Sequence, residues 1–87
     1  MAELHLPATV LPLFPGLPRQ LEVEAATVDE ALDRLDEQWP GFRDRICERR
    51  TVLRPHINVY VDRERAALDT ALAARSRVDV VAAISGG

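Results

Sequence analysis

Val78-Asp79-Val80-Val81-Ala82-Ala83-Ile84-Ser85-Gly86-Gly87 closes the chain, and its two halves have different requirements. Val78 to Ala82 is rich in branched apolar side chains and reads as a β-strand, the last in the sequence. Gly86 and Gly87 carry no Cβ, so the backbone there reaches angles closed to other residues and fits a channel too narrow for side chains. A strand this late must return to a sheet begun earlier. The elements upstream of it therefore decide the fold.

Ile57, Val59 and Val61 alternate with Asn58 and Tyr60 in a second β-branched run. Asp62-Arg63-Glu64 suits a turn, and Ala66 to Leu72 reads as a short strand followed by a helical turn. Farther upstream, Thr27-Val28-Asp29-Glu30 has the form of a capping box, in which the threonine hydroxyl accepts a first-turn N–H and the glutamate reaches back to the cap. Val28, Ala31, Leu32, Leu35 and Trp39 follow at helical spacing as one apolar stripe, which leaves Asp29, Asp33, Arg34, Asp36 and Glu37 on the solvated side. Asp29 also sits at the positive end of the helix dipole. Pro40-Gly41 stops this helix, and a shorter helical stretch covers Phe42 to Cys47.

At the N-terminal end, Leu4, Leu6, Ala8 and Val10 alternate with His5, Pro7 and Thr9, which predicts a first strand. Pro7 has no ladder donor and favours an edge position. Leu11 to Pro18, with prolines at 12, 15 and 18, reads as a stiff connection. Leu21, Val23 and Ala25, alternating with Glu22 and Glu24, then complete a long-looped hairpin. The predicted order is ββαβ(β)β.

With 87 residues, 47% of them hydrophobic, the chain has apolar material for one small core and no second domain. All 11 basic residues are arginine, and against 14 acidic ones they leave a net charge of −3, which argues against a nucleic-acid partner. No window approaches the ~18 apolar residues of a membrane span, and Met1-Ala2-Glu3 does not open a secretory leader, so the expected location is the cytoplasm. Cys47 is the sole cysteine, which rules out an internal disulfide.

A terminal carboxyl titrates near pH ~3.5, so Gly87 would be ionised at neutral pH and able to attack an activated phosphate. Other residues offer less. Arg43, Arg45, Arg49 and Arg50 surround Cys47 and would favour a thiolate, yet a lone cysteine on a short helix reads first as a small core hydrophobe. His5 and His56 have no partners at metal-ligand spacing, and no metal site is expected. The arginines from 43 to 54 alternate with Asp44 and Glu48, so a solvated face competes with a docking surface for an acidic partner. Pro12-Leu13-Phe14-Pro15 matches a PxxP string but reads as a rigid loop inside a domain. Neither a phosphate-binding glycine loop nor a Ser/His/Asp set is present, and no enzyme is expected.

Several of these segments together resemble the ubiquitin-like sulfur carriers of the MoaD/ThiS family: His56 to Asp62, Leu68-Asp69-Thr70-Ala71-Leu72, the T-x-x-E-A-L opening at Thr27, and above all Val78 to Gly87. The resemblance implies an α+β fold of the β-grasp class, a mixed sheet of four to five strands with one main helix packed across it and its first and last strands side by side. Residues 1–83 would form the domain, and 84–87 a flexible tail. Gly87 would be the sulfur-carrying terminus, with Gly86, Ser85 and Ile84 as the stem entering a partner's active site. The implied chemistry makes the protein a substrate that binds no cofactor of its own, or the small subunit of a synthase. An E1-like adenylyltransferase would use Mg-ATP to adenylate Gly87. A sulfur donor such as a cysteine desulfurase or rhodanese would then convert it to a thiocarboxylate for an acceptor synthase in molybdopterin, thiamin, cysteine or secondary-metabolite synthesis. Two alternatives stand beside it: a modifier joined to target lysines through Gly87, and a noncovalent β-grasp adaptor.

Overall fold

Among the described residues, backbone hydrogen bonding and apolar alternation produce ten short elements. The computed structural model describes residues 1–49 and 51–82, and the Ile84, Ser85, Gly86 and Gly87 stem proposed from the sequence lies outside the described residues. In chain order the strands are β1 (Ala2–His5), β2 (Gln20–Val23), β3 (Cys47–Glu48), β4 (Val52–Leu53), β5 (Ile57–Val61), β6 (Glu64–Ala66) and β7 (Arg77–Ala82). A 3-10 helix (Ala8–Leu13) lies between β1 and β2, and α1 (Val28–Gln38) and α2 (Phe42–Ile46) separate β2 from β3.

The main sheet runs β2-β1-β7-β5-β6. Its centre is the parallel pair β1 and β7, in register Glu3 with Arg77 and His5 with Asp79. Every other ladder in it is antiparallel. This is a mixed five-stranded β-grasp with its first and last strands adjacent, as the family resemblance implies. Val78 and Val80 of β7, Leu4 of β1 and Val59 of β5 turn inward and are buried. They meet Val28, Ala31, Leu32 and Leu35 of α1, which form the expected stripe. Each such side chain contributes on the order of 2 kcal/mol by burial. The exposed Arg34, 3.6 Å from Glu30 and 3.3 Å from Glu37, adds only a few tenths. Packing therefore holds α1. Trp39 sits at its C-cap and is only partly buried, at the rim of the core.

The first strand is shorter than its alternation suggests. It ends at His5, and Ala8–Leu13 winds into the 3-10 helix, so Leu6 reaches the core from the link, Val10 reaches it from the helix, and Ala8 is exposed. Pro7, which cannot donate to a ladder, lies just beyond the strand and leaves the central position of β1 undisturbed. The capping box is half made. Thr27 Oγ1 accepts from the Glu30 N–H at 3.1 Å, but the Glu30 carboxylate turns to Arg34. The other early N–H groups of α1 are already satisfied, because Val28 donates to the Thr70 carbonyl and Asp29 to that of Leu68.

The region after β5 also differs from its sequence reading. Asp62 and Arg63 alone make the turn, both with positive φ (49° and 73°), as a two-residue hairpin of the right twist requires. Glu64 already belongs to β6, and Ala67 to Thr70 is a turn whose next residue, Ala71, bridges back to Thr27. The small β3–β4 hairpin was not foreseen. Two-residue strands are too short to show a period.

Candidate functional site

The sequence places the chemistry on Ile84 to Gly87, after the last strand, and the fold fixes that strand firmly. β7 is held on one side by β1 and on the other by all five residues of β5, with Ala82 opposite Ile57. The pairing with β1 stops at Asp79, because β1 ends at His5. Beyond it, Val80 to Ala82 border a groove of about 400 Å3 whose opposite wall is His5, Leu6, Pro7 and Arg19. The segment that would carry Gly86 and Gly87 thus starts from the rigid centre of the sheet, beside an open groove.

The outer face around that exit is polar. The alternation that buries Val78 and Val80 turns Arg77, Asp79 and Val81 outward, and Val81 is 43% exposed. The Arg77 Nε–H donates to both Asp79 carboxylate oxygens, at 3.2 and 3.0 Å. That hydrogen bond, the Asp79 charge and the charge of Glu3 hold the Arg77 guanidinium above its ordinary range. His5 Nε2 lies 2.6 Å from Glu3 Oε1. The four polar side chains Glu3, His5, Arg77 and Asp79 of β1 and β7 on this face therefore pair two by two and leave Val81 as an apolar point among them.

The secondary candidates resolve mostly toward structural roles. Cys47 is buried at the end of α2 and is 1% exposed, in keeping with a small core side chain. His56 is exposed and far along the chain from His5, and among the described residues no group of three His, Cys, Asp or Glu side chains could hold a metal. Phe14 of the proline-rich loop packs its ring on Phe42, centroids 5.7 Å apart, so that loop is part of the core. Among the described residues no helix is long and apolar enough to cross a membrane.

The arginine-rich segment holds the main correction. Arg43 does not lie on a solvated face but is 4% exposed. Its guanidinium donates to the Asp29 carboxylate, to the Asp29 carbonyl at 3.0 Å and to Asp33 Oδ1 at 3.0 Å. Burial works against that charge, but the hydrogen bond and charge of Asp29, with Asp33, outweigh it, and the Arg43 pKa is raised. Asp36 accepts from the backbone N–H groups of Gly41 and Arg43, at 3.2 and 3.0 Å. Three aspartates expected to face solvent thus fasten α2 to α1. The i, i+4, i+7 spacing of Asp29, Asp33 and Asp36 was the available signal, since it puts all three on one helix edge.

Comparison with known proteins fits this architecture. A chain of the Amycolatopsis orientalis BexX/CysO complex is 25% identical, with 100% of both chains covered and a TM-score of 0.85. SAMP1 from Haloferax volcanii is 32% identical over 99% of this chain and 98% of its own, with a TM-score of 0.81. The Mycobacterium tuberculosis antigen CysO, at 20% identity, shares the fold, with a TM-score of 0.85 over 97% of this chain and 100% of its own. No curated protein matches the chain. A sequence model of the ThiS family matches residues 13–87, a span that takes in the helix, the central strand and the terminal diglycine, and the chain belongs to the ThiS family.

Proposed function

We propose that this protein is a cytoplasmic sulfur carrier whose working group is the carboxylate of Gly87. The supporting observation is the placement of β7: a strand locked at the centre of the sheet ends at Ala82, five residues before Gly87, and the family match runs through that end. A carboxylate is a poor electrophile. An E1-like partner with Mg-ATP would join it to AMP, with release of pyrophosphate, so that the acyl carbon gains a good leaving group and magnesium offsets phosphate charge. The terminal sulfur of a persulfide on a donor such as a cysteine desulfurase or rhodanese would then attack the acyl carbon and expel AMP, leaving an acyl disulfide; a second thiol would attack the donor's sulfur, forming a disulfide with it and freeing the thiocarboxylate, which would hand sulfur to an acceptor synthase. Gly86, Ser85 and Ile84 form the narrow stem that enters each partner's channel. The domain supplies position and a docking face, while the acids and bases belong to the partners.

A second reading has its own support, because the 32%-identical Haloferax volcanii protein is called a small archaeal modifier protein in a further structure. Conjugation would join Gly87 to a lysine of another protein. The chain contains no lysine, so it could not extend lysine-linked polymers on itself. Pyrophosphate exchange with the cognate E1-like enzyme is the direct test of activation. Exchange that depends on this protein and on Gly87 supports both readings, and its absence leaves only a noncovalent adaptor. Thiocarboxylate in the product then selects the carrier, and higher-mass conjugates select the modifier.

A further inference from the structure

A groove of about 580 Å3 lies on the side of the molecule away from the β1 edge of β7, with β4 and β6 as its walls and Ile57 to Val59 of β5 as its floor. Its main-chain chemistry follows from the strand registers. Arg54 N–H donates to the Ile46 carbonyl, and Cys47 faces Leu53, so the Leu53 N–H and C=O point away from β3. In the β5–β6 hairpin the two-residue turn makes Val61 and Glu64 a hydrogen-bonded pair, which sends the backbone groups of Arg65 outward. Ile57 directs its carbonyl toward the line of β6, but β6 pairs only as far as Val59 with Ala66, and the chain then turns off at Ala67 to Thr70. Three strand positions that line one groove therefore present edges that no strand extends among the described residues.

The side chains add a second, independent feature. Arg54 donates from Nε and Nη2 to the Asp44 carbonyl at 3.0 and 2.6 Å, and Arg65 donates to Asn58 Oδ1 at 2.9 Å. Both guanidinium groups are thus held in place by neutral acceptors, so their charge is not cancelled at the contact. On a chain of net charge −3 this makes the groove a fixed cationic site, with Asp69 as the acidic member of its lining. Val52 on the β4 wall is 57% exposed, and Leu53 and Leu68 add partly buried apolar surface.

We propose that this groove takes an extended peptide segment of a partner protein, bound by strand addition and carrying a carboxylate that meets Arg54 and Arg65. The main-chain groups call for another strand, the apolar walls for aliphatic side chains on one face of it, and the two oriented cations for an acidic residue beside them. The site is separate from the groove at the end of β7, so a partner could occupy it while the chain terminus is engaged elsewhere.

The test is an amide-shift titration of the isotope-labelled full chain with the acetylated, amidated hexapeptide Ala-Val-Glu-Val-Glu-Ala and its lysine counterpart. The expected result is saturable shifts confined to residues 51–54, 57–58 and 65–69 with the glutamate peptide, and affinity at least about tenfold weaker for the lysine peptide, a difference of about 1.4 kcal/mol. Arg65→Gln keeps a side chain of similar reach on an exposed strand position and should weaken the glutamate peptide several-fold while leaving the amide spectrum folded. No shift at millimolar peptide, equal binding of both peptides, shifts confined to the outer sheet face, or the same shifts with free glutamate alone would each overturn the proposal.

Discussion

Arg43→Ala should be among the most damaging single changes to a charged residue in this domain. The side chain is almost wholly buried and, among the described residues, donates three hydrogen bonds, two to the carboxylates of Asp29 and Asp33 and one to the Asp29 carbonyl. Hydrogen bonds to charged groups contribute about 1.5–3 kcal/mol each when shielded. Here both aspartates are about half exposed, at 49% and 52%, and water can replace part of what is lost. Taking about 1 kcal/mol per bond gives a cost near 3 kcal/mol, against a total stability of about 4–13 kcal/mol for a chain of this length. At about 4–8 °C per kcal/mol, the melting temperature should fall by roughly 12–24 °C. Arg43→Lys keeps the charge but not the planar fork that serves two carboxylates, and should lose about half as much. Thermal and urea unfolding followed by circular dichroism would measure both. A fall of under about 4 °C for the alanine variant would mean that the clamp between α1 and α2 contributes little, and that Phe42 and Ile46 alone dock α2.

Other expectations are narrower. Leu35→Ala, at a fully buried position on the α1 stripe, should cost about 2–5 kcal/mol in urea unfolding, and near-normal stability would mean that this face of α1 is not the one that holds the core. Thr27→Ala removes the hydroxyl that caps α1 and should cost about 1 kcal/mol by the same measurement. Arg63→Gly relieves a side chain held at φ 73° and should leave the melting temperature unchanged or raise it, with a gain on the order of 0.5 kcal/mol; a fall would mean that Arg63 makes a contact worth more than its strain. Deleting Gly87, or replacing Gly86 by a bulky residue, should leave unfolding unchanged, because the described core ends with Val80 and Ala82, while abolishing pyrophosphate exchange with the activating enzyme.

Features encoded locally are legible in the sequence. The Thr27 cap and the stripe from Val28 to Leu35 lie within a few turns of one another, and α1 forms over the span they indicate. The central place of β7 was not local: Val78 to Ala82 announces a strand, but its parallel partner, β1, lies more than 70 residues away, and only the order of elements and the family resemblance linked them. Pro7 shows the opposite failure. Apolar alternation continues through it to Val10, yet a residue without an N–H ends the ladder: Leu6 enters the core just before Pro7, Val10 enters it from the 3-10 helix, and Ala8 is left exposed. The burial of Arg43 is hidden from the sequence for a related reason, since it depends on how α2 folds back on α1 and not on its neighbours in sequence. The candidate site divides in the same way. Gly86 and Gly87 are plain in the sequence, whereas the groove beside Val81 and the paired charges around it exist only once β1 lies against β7.

The central claim is that Gly87 carries sulfur as an acyl group. The most direct measurement is the intact mass of the protein purified from its native host under conditions that preserve thiocarboxylates, with fragmentation to locate any change. A population heavier by one oxygen-for-sulfur exchange is expected, located at the C-terminal residue and absent when the activating enzyme is deleted. A single unchanged mass in cells whose activating enzyme is present and active would contradict the claim.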